Sequence, residues 1–161
     1  MVCFKIMPGK YRGVNSIRNV LRYILNEKKN PHGVHNVCST SHEDIEKFVY
    51  RFVKVQEINR NTCGKRVIHF ILSFEMDCPY TPNEYRAIGN KVVQYYKGHQ
   101  VIFALHEKDN DDEIKQPHIH FAMNPISYIT GKRIHIGIKE IRNFYDYLDT
   151  IFPDAKIHLL K

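Results

Sequence analysis

Apolar residues recur along this chain with two spacings. Apolar residues at every second position are typical of a half-buried strand, and apolar residues every three or four positions are typical of an amphipathic helix. The first spacing predicts strands over residues 2–7, 66–75, 99–108 and 116–124, with a further edge strand in KIHLL. The second spacing predicts helices over residues 16–27, from Ser41, from Pro82 and over 138–151.

The order of these elements predicts the architecture. Strand, two helices, strand, helix, two strands and a last helix indicate an α+β fold, with a central antiparallel β-sheet and helices packed mainly on one face. Thr81, Pro82 and Glu84 form a capping-box signature at the start of the third helix. A short hairpin is predicted around Thr130 and Gly131. The length of 161 residues fits one domain.

The stretch QPHIHFAMNP carries two histidines inside an apolar strand. Side chains alternate across a strand, so His118 and His120 point to one side, and His106 on the preceding strand is expected to join them on the open face. A bare HxH pair is weak evidence, but three converging imidazoles favour a metal site with positions left for water or substrate. Asp109 and Glu75 are nearby candidates to orient a ligand ring. His69 shares the same face.

A tyrosine on the first helix is the second chemical clue. At 100° per residue, Tyr23 lies more than 90° from the centre of the apolar stripe, on the flank of the helix. A tyrosine beside a metal-bound phosphate could act as a nucleophile. On periodicity alone, an amphipathic surface tyrosine is the favoured interpretation. Tyr11, in the basic segment KYRG, is a second candidate nucleophile.

Charge and cysteine content narrow the classes of protein. The chain has 24 Lys and Arg against 17 Asp and Glu, a net charge of +7. This surplus favours a polyanionic partner, although charge alone does not separate a binding surface from a solvated one. No two of the four cysteines have CxxC spacing, which argues against a zinc knuckle or redox motif. The longest apolar run, VIHFILSF, is too short to span a bilayer, so a cytoplasmic protein is expected.

Three blocks resemble the relaxase domain of conjugative and mobilizable elements. The blocks SIRNVLRYILN, HFILSFE and HEKDNDDEIKQPHIHFAMN are similar, in order and spacing, to the three motifs of the MobP-type (VirD2-like) relaxases in the HUH endonuclease superfamily. They cover most of residues 15–125. The third block is specific, whereas the first is degenerate when taken alone. The acidic run DNDDE in the third block is unusual beside a DNA cleft and is expected to point away from it.

The resemblance implies a single relaxase domain over residues 1–161, and it leaves open whether this is the N-terminal domain of a longer protein. It implies site- and strand-specific nicking of single-stranded origin-of-transfer DNA, with Tyr23 forming a 5′-phosphotyrosyl link. A divalent metal would be held by His106, His118 and His120, while Ser73 would position the DNA and Asp109 would orient a ligand histidine. The family implies magnesium or manganese, although three imidazoles would suit zinc or another late transition metal better.

The partners implied are DNA, accessory relaxosome proteins and a coupling protein, with no membrane and no small-molecule substrate. Basic side chains are candidates for phosphate contacts; they are Lys10, Arg12, Arg22, Lys28, Lys29, Lys65, Arg66, Lys132 and Arg133. Tyr11, Tyr96 and Tyr128 are candidates for base stacking. The alternatives are a rolling-circle replication initiator of the same superfamily, a histidine-metal hydrolase or oxygenase that does not act on DNA, and a nucleic-acid-binding module with structural histidines.

Overall fold

The structure, a computed structural model, describes residues 1–25, 32–35, 45–75, 80–106 and 116–160. The described helices are α1 (Val14–Leu25), α2 (Ile45–Ile58), α3 (Pro82–Tyr95) and α4 (Ile138–Ile151). The described strands are β1 (Val2–Ile6), β2 (His32–His35), β3 (Ile68–Phe74), β4 (Val101–His106), β5 (His118–Met123) and β6 (Ile157–Leu160). Within these ranges, no helix has the length and apolar character needed to cross a membrane.

The strands form one sheet in the order β2-β4-β5-β3-β1-β6. The four central strands pair with one another in antiparallel fashion, β4 with β5, β5 with β3 and β3 with β1, which confirms the predicted α+β class with a central antiparallel sheet. KIHLL forms the edge strand β6, which pairs in parallel with β1 and makes the sheet mixed. β4 and β5 form the predicted hairpin, with His106 opposite His118.

The helices pack on both faces of the sheet, which corrects the prediction that they lie mainly on one face. On one face, Phe103 and Phe121 join a core with Phe144 of α4 and residues of α3. On the other face, Ile102 and Ala122 join a second core with α1 and α2. The physical reason lies in the strands, because β4 is buried along its whole length and so offers an apolar surface on both sides.

Two predicted local features can be compared with the structure, the start of α3 and the turn near Thr130. The Thr81 side chain accepts a hydrogen bond from the Glu84 backbone N–H, and the Glu84 carboxylate accepts one from the Thr81 N–H at 2.6 Å, so the predicted capping box is confirmed. An antiparallel bridge joins Ile126 to Arg133 around the predicted turn. Ser41, the predicted start of the second helix, lies outside the described residues. Residues 32–35, for which the apolar spacing predicts no element, form β2 beside β4, because four residues are too few to show a periodic pattern.

Candidate active site

Three histidines meet at one end of the β4–β5 hairpin. The strand register puts His106 directly opposite His118, and His120 follows two residues later on the same face. One ring nitrogen from each histidine lies within 4.8 Å of the others. His106 is 3% exposed, His120 is 1% exposed and His118 is half-buried. These three residues, here called the histidine triad, are the ones that the alternation of the two strands predicts to converge.

Helix α1 lies over the face that carries the triad, so the prediction of an open face is wrong. Leu21 and Ile24 of α1 are fully buried in the same core as Ile102 and Ala122, which share the face with the triad. These apolar neighbours provide a surface on which the stripe of α1 packs. As a result, His106 Nε2 lies 2.9 Å from the backbone carbonyl oxygen of Ile24. The triad is a partly enclosed site at the rim of a core.

Each triad imidazole is held through one of its two ring nitrogens. A carbonyl oxygen can only accept, so His106 Nε2 carries a proton and donates to Ile24. For the same reason His118 Nδ1 donates to the Gln116 carbonyl oxygen at 2.8 Å. His120 Nδ1 lies 2.9 Å from Nε2 of His69. The opposite nitrogen, Nδ1 of His106 and Nε2 of His118, is therefore the one that can offer a lone pair. For His120 the available nitrogen depends on which of the two facing rings, His120 or His69, donates the proton.

The donor set fits a metal ion. Within the described part of the chain, the buried Nε2 of His120 has no hydrogen-bond partner. A buried polar atom without a partner is costly, and a coordinate bond to a cation would satisfy it. Three imidazoles, each held through one ring nitrogen, are typical of a metal site that leaves further positions for water or substrate. His106, His118 and His120 are the residues that could hold such an ion.

Burial sets the protonation of this cluster. Burial, together with smaller contributions from the nearby His106, His118 and His69, lowers the pKa of His120 to about 2. Burial likewise lowers the pKa of His69 to about 4, with a contribution from His106. Both imidazoles are therefore neutral at physiological pH, which is the form that binds metals.

Tyr23 packs against the triad. Its ring centroid lies 5.2 Å from that of His120 and 5.8 Å from that of His106. The phase of α1 puts Tyr23 on the flank of the buried stripe, so the residue is 52% exposed while its ring still reaches the histidines. Tyr11 is half-buried, with its ring 6.4 Å from that of His69, and burial raises the pKa of its hydroxyl. Tyr23 therefore combines access from solvent with contact to two triad residues.

A row of half-buried residues, here called the half-buried row, continues across the sheet from the triad; it contains Ser73, Cys3 and Lys5. Ser73 on β3 is directly opposite His118, on the face that carries the triad. Cys3 on β1 is opposite Ser73, and Lys5 lies two residues further along β1 on the same face. Lys5 is not among the predicted site residues, although the alternation in VCFKIM could have placed it on this face. Glu75 does not contact a histidine ring in the described structure: its carboxylate binds the N-terminal amino group at 2.7 Å.

The predicted DNA-contacting residues fall into three groups. One group has exposed side chains; it contains Lys10, Arg12, Arg22, Lys65 and Lys132. Arg22 also lies 3.6 Å from Glu46. A second group lies outside the described residues; it contains Lys28 and Lys29, together with the predicted orienting residue Asp109.

The third group is committed to internal contacts. Arg66 is 9% exposed, and its guanidinium donates to the Gln56 side chain and to the Thr62 carbonyl oxygen. Arg133 donates to Asn61 and to backbone carbonyl oxygens of the loop before β3. These donors are used within the fold, which argues against a phosphate contact by Arg66 or Arg133.

The stacking candidates also differ in position. Tyr96 is 6% exposed and packs against Phe70 and Phe144 in the core, so its predicted role in base stacking is wrong. Tyr128 is 42% exposed, and its hydroxyl donates to the Lys97 carbonyl oxygen at 3.1 Å. Among the three tyrosines, Tyr11 is the one described beside the histidine cluster.

Comparison with protein-family models identifies the family of this chain. The model of the relaxase family described as MobA/VirD2-like, nuclease domain, matches residues 23–153. That range begins at Tyr23 and includes all three triad histidines. Searches of curated proteins and of solved structures found no significant match. Because the family model covers most of the chain, this protein belongs to the MobA/VirD2-like relaxases and contains their DNA-nicking nuclease domain.

Proposed function

We propose that this domain nicks one strand of origin-of-transfer DNA, with Tyr23 as the nucleophile and a divalent metal ion held by the histidine triad. The observation that carries the proposal is the packing of an exposed tyrosine ring against two buried histidines of one cluster. Family membership already gives a nuclease that acts on single-stranded DNA. The tyrosine, the metal and the conjugative setting are the parts that we add.

The proposed reaction is a transesterification. The Tyr23 hydroxyl oxygen attacks the scissile phosphorus, the tyrosyl O–P bond forms and the bond from phosphorus to the 3′ oxygen breaks. The tyrosine loses its proton and the leaving 3′ oxygen gains one, so the products are a 5′-phosphotyrosyl link and a free 3′-OH. A divalent ion, when bound, would polarise the scissile phosphate and neutralise the charge that develops on it. The link preserves a phosphodiester and so allows later strand joining.

We propose magnesium or manganese as the metal, because the family resemblance implies one of these ions. Zinc or another late transition metal is the alternative, because the three ligands are imidazoles. Harder ions such as magnesium prefer oxygen ligands, whereas imidazole suits late transition metals. The triad supplies three nitrogen ligands. Manganese accepts mixed nitrogen and oxygen ligands, so we expect it to support activity at a lower concentration than magnesium does.

The DNA is proposed to lie over the half-buried row next to the triad. Ser73, opposite His118, would contact the strand near the scissile phosphate. Lys5 is on the same face, and Lys10 and Arg12 are exposed in the segment between β1 and α1. These positively charged side chains would contact DNA phosphates, and such contacts do not depend on the base sequence. Five further residues stay predictions: Lys28, Lys29, Lys65, Lys132 and Asp109.

The setting of the reaction is also a proposal. A nuclease of this family would act in the cytoplasm on the DNA of a mobile element, with accessory proteins and a coupling protein. A replication initiator of the same superfamily would use similar chemistry at a replication origin. The two differ in the DNA that is cut, so the choice of oligonucleotide separates them.

A cleavage assay tests the proposal. The chain would be incubated with end-labelled oligonucleotides tiled across the transfer and replication origins of its source element, with manganese, magnesium or EDTA. We expect a metal-dependent nick and a covalent protein–DNA adduct on transfer-origin DNA, both lost in Tyr23→Phe. Tyr50→Phe is the matched control, because Tyr50 is also an exposed helical tyrosine, at 57%. Adduct formation by Tyr23→Phe would refute the assignment of Tyr23 as the nucleophile. Full nicking activity in EDTA would refute the requirement for a metal ion.

A further inference from the structure

We infer that His69 is a positioning residue that fixes the His120 ring in the tautomer able to bind metal. The inference rests on the proposed metal site and adds a residue to it that is not itself a ligand. His69 is 4% exposed, and its Nε2 lies 2.9 Å from Nδ1 of His120. The two ring centroids are 5.1 Å apart.

The sheet register brings the two rings together. His69 is opposite Ala122, and His120 is opposite Ile71, so His69 and His120 are diagonal neighbours on one face of the β3–β5 pair. The backbone of His69 is fixed as well, because its carbonyl oxygen accepts a hydrogen bond from the Met7 N–H at 2.8 Å. His69 therefore has little freedom to move away from His120.

Hydrogen-bond chemistry then restricts the tautomers. One of the two facing nitrogens must carry a proton and the other must accept it. If His69 donated, the proton of neutral His120 would sit on Nε2, which is the buried atom without a partner. Such a ring could not bind a cation through Nε2. If His120 donates from Nδ1, its Nε2 lone pair faces the triad and the ring is ready to serve as a ligand.

His69 thus performs the orienting role that the sequence suggested for a carboxylate. Of the two carboxylates considered there, Glu75 is bound to the N-terminal amino group and Asp109 lies outside the described residues. A neutral imidazole accepts the Nδ1 proton without adding negative charge beside the ion. The site would then keep more positive charge to attract a phosphate.

The test measures metal binding directly. Manganese and zinc would be titrated by calorimetry into the full chain, its His69→Leu and His69→Gln variants and the control His99→Gln. Leucine cannot accept a proton, so we expect affinity to fall about 10- to 100-fold in His69→Leu. The glutamine carbonyl oxygen can replace Nε2 as acceptor, so His69→Gln should recover most of the affinity. His99 is a half-buried histidine that contacts the Asn124 carbonyl oxygen away from the triad, and its variant should bind as the wild type does.

Several results would overturn the inference. Wild-type affinity in His69→Leu would show that His69 has no role, and equal losses in the leucine and glutamine variants would show a packing role only. Long-range proton–nitrogen NMR of the zinc-loaded wild type gives a test that does not depend on the folding of a variant. We expect the His120 proton on Nδ1, and a proton on Nε2 would refute the proposed tautomer. A wild type that binds no ion would refute the metal site itself, which is a separate failure of the proposed function.

Discussion

Replacing Asn124 with alanine should destabilise the fold strongly. Asn124 is the last residue of the stretch HIHFAMN, which begins with the two triad histidines of β5. It is fully buried just after β5. Its Nδ2 donates to the Phe52 carbonyl oxygen at 3.1 Å and to Gln100 Oε1 at 2.7 Å. Its Oδ1 accepts from Gln56 Nε2 at 3.0 Å and from the Ile126 N–H at 3.1 Å. The side chain therefore ties α2 to one end of the β4–β5 pair, the end opposite to the one that carries His106 and His118.

The magnitude follows from these four bonds. A neutral buried hydrogen bond contributes about 1 kcal/mol net, so Asn124→Ala should lower the free energy of unfolding by about 4 kcal/mol. Gln56 Nε2 keeps a bond to the Arg66 carbonyl oxygen, which limits the loss. In a domain of this size, 1 kcal/mol corresponds to roughly 2–4 °C in Tm, so we expect a fall of about 8–16 °C. Asn124→Asp should be no better, because a carboxylate cannot donate to the two acceptors.

Thermal and urea denaturation followed by circular dichroism would measure the effect. Asn143→Ala is the control, because Asn143 is exposed on α4 and its loss should change the free energy of unfolding by less than about 0.5 kcal/mol. A loss below about 1 kcal/mol in Asn124→Ala would refute the reasoning that these four bonds hold α2 to the sheet.

Three further outcomes can be measured on the same protein. A saturating divalent ion at about 100 times its Kd should add about 2.7 kcal/mol of stability and raise Tm by roughly 5–11 °C, and His118→Ala should abolish that rise in differential scanning fluorimetry. Lys10→Gln and Arg12→Gln should each reduce the salt dependence of oligonucleotide binding by about one unit of slope, and an unchanged slope would exclude that side chain from phosphate contact. Gly89→Ala should cost about 1–3 kcal/mol by denaturation, because the added Cβ would lie 2.3 Å from the Phe103 ring, and wild-type stability would contradict that packing.

The sequence predicts the triad because its determinants are local. His106, His118 and His120 lie on two consecutive strands, and alternation together with hairpin pairing is enough to put them on one face. Tyr23 was placed on the flank of α1 by helical periodicity in the same way. Both inferences depend on spacing within one element or between two strands that are consecutive in the chain. The motif resemblance then joined the two clues into one site, and the family model agrees with that resemblance.

Other features depend on contacts between distant parts of the chain, which periodicity does not contain. The pairing of His69 with His120 requires the register of β3 against β5, across 51 residues of sequence. The stripe of α1 shows which side of the helix is buried but not which face of the sheet it covers. Arg66 is charged and looked like a surface residue, yet it is satisfied by Gln56 within the fold. A composition-based choice of DNA contacts cannot detect such internal partners.

Mapping the protein–DNA adduct would test the central claim most directly. Trypsin cleaves after Lys and Arg, so Tyr23 would be recovered in the peptide of residues 23–28 and Tyr11 in the dipeptide of residues 11–12. After nicking in manganese, nuclease trimming and tryptic digestion, mass spectrometry should find the nucleotide on the peptide of residues 23–28. A nucleotide on the dipeptide that contains Tyr11, or on any other peptide, would contradict Tyr23 as the nucleophile.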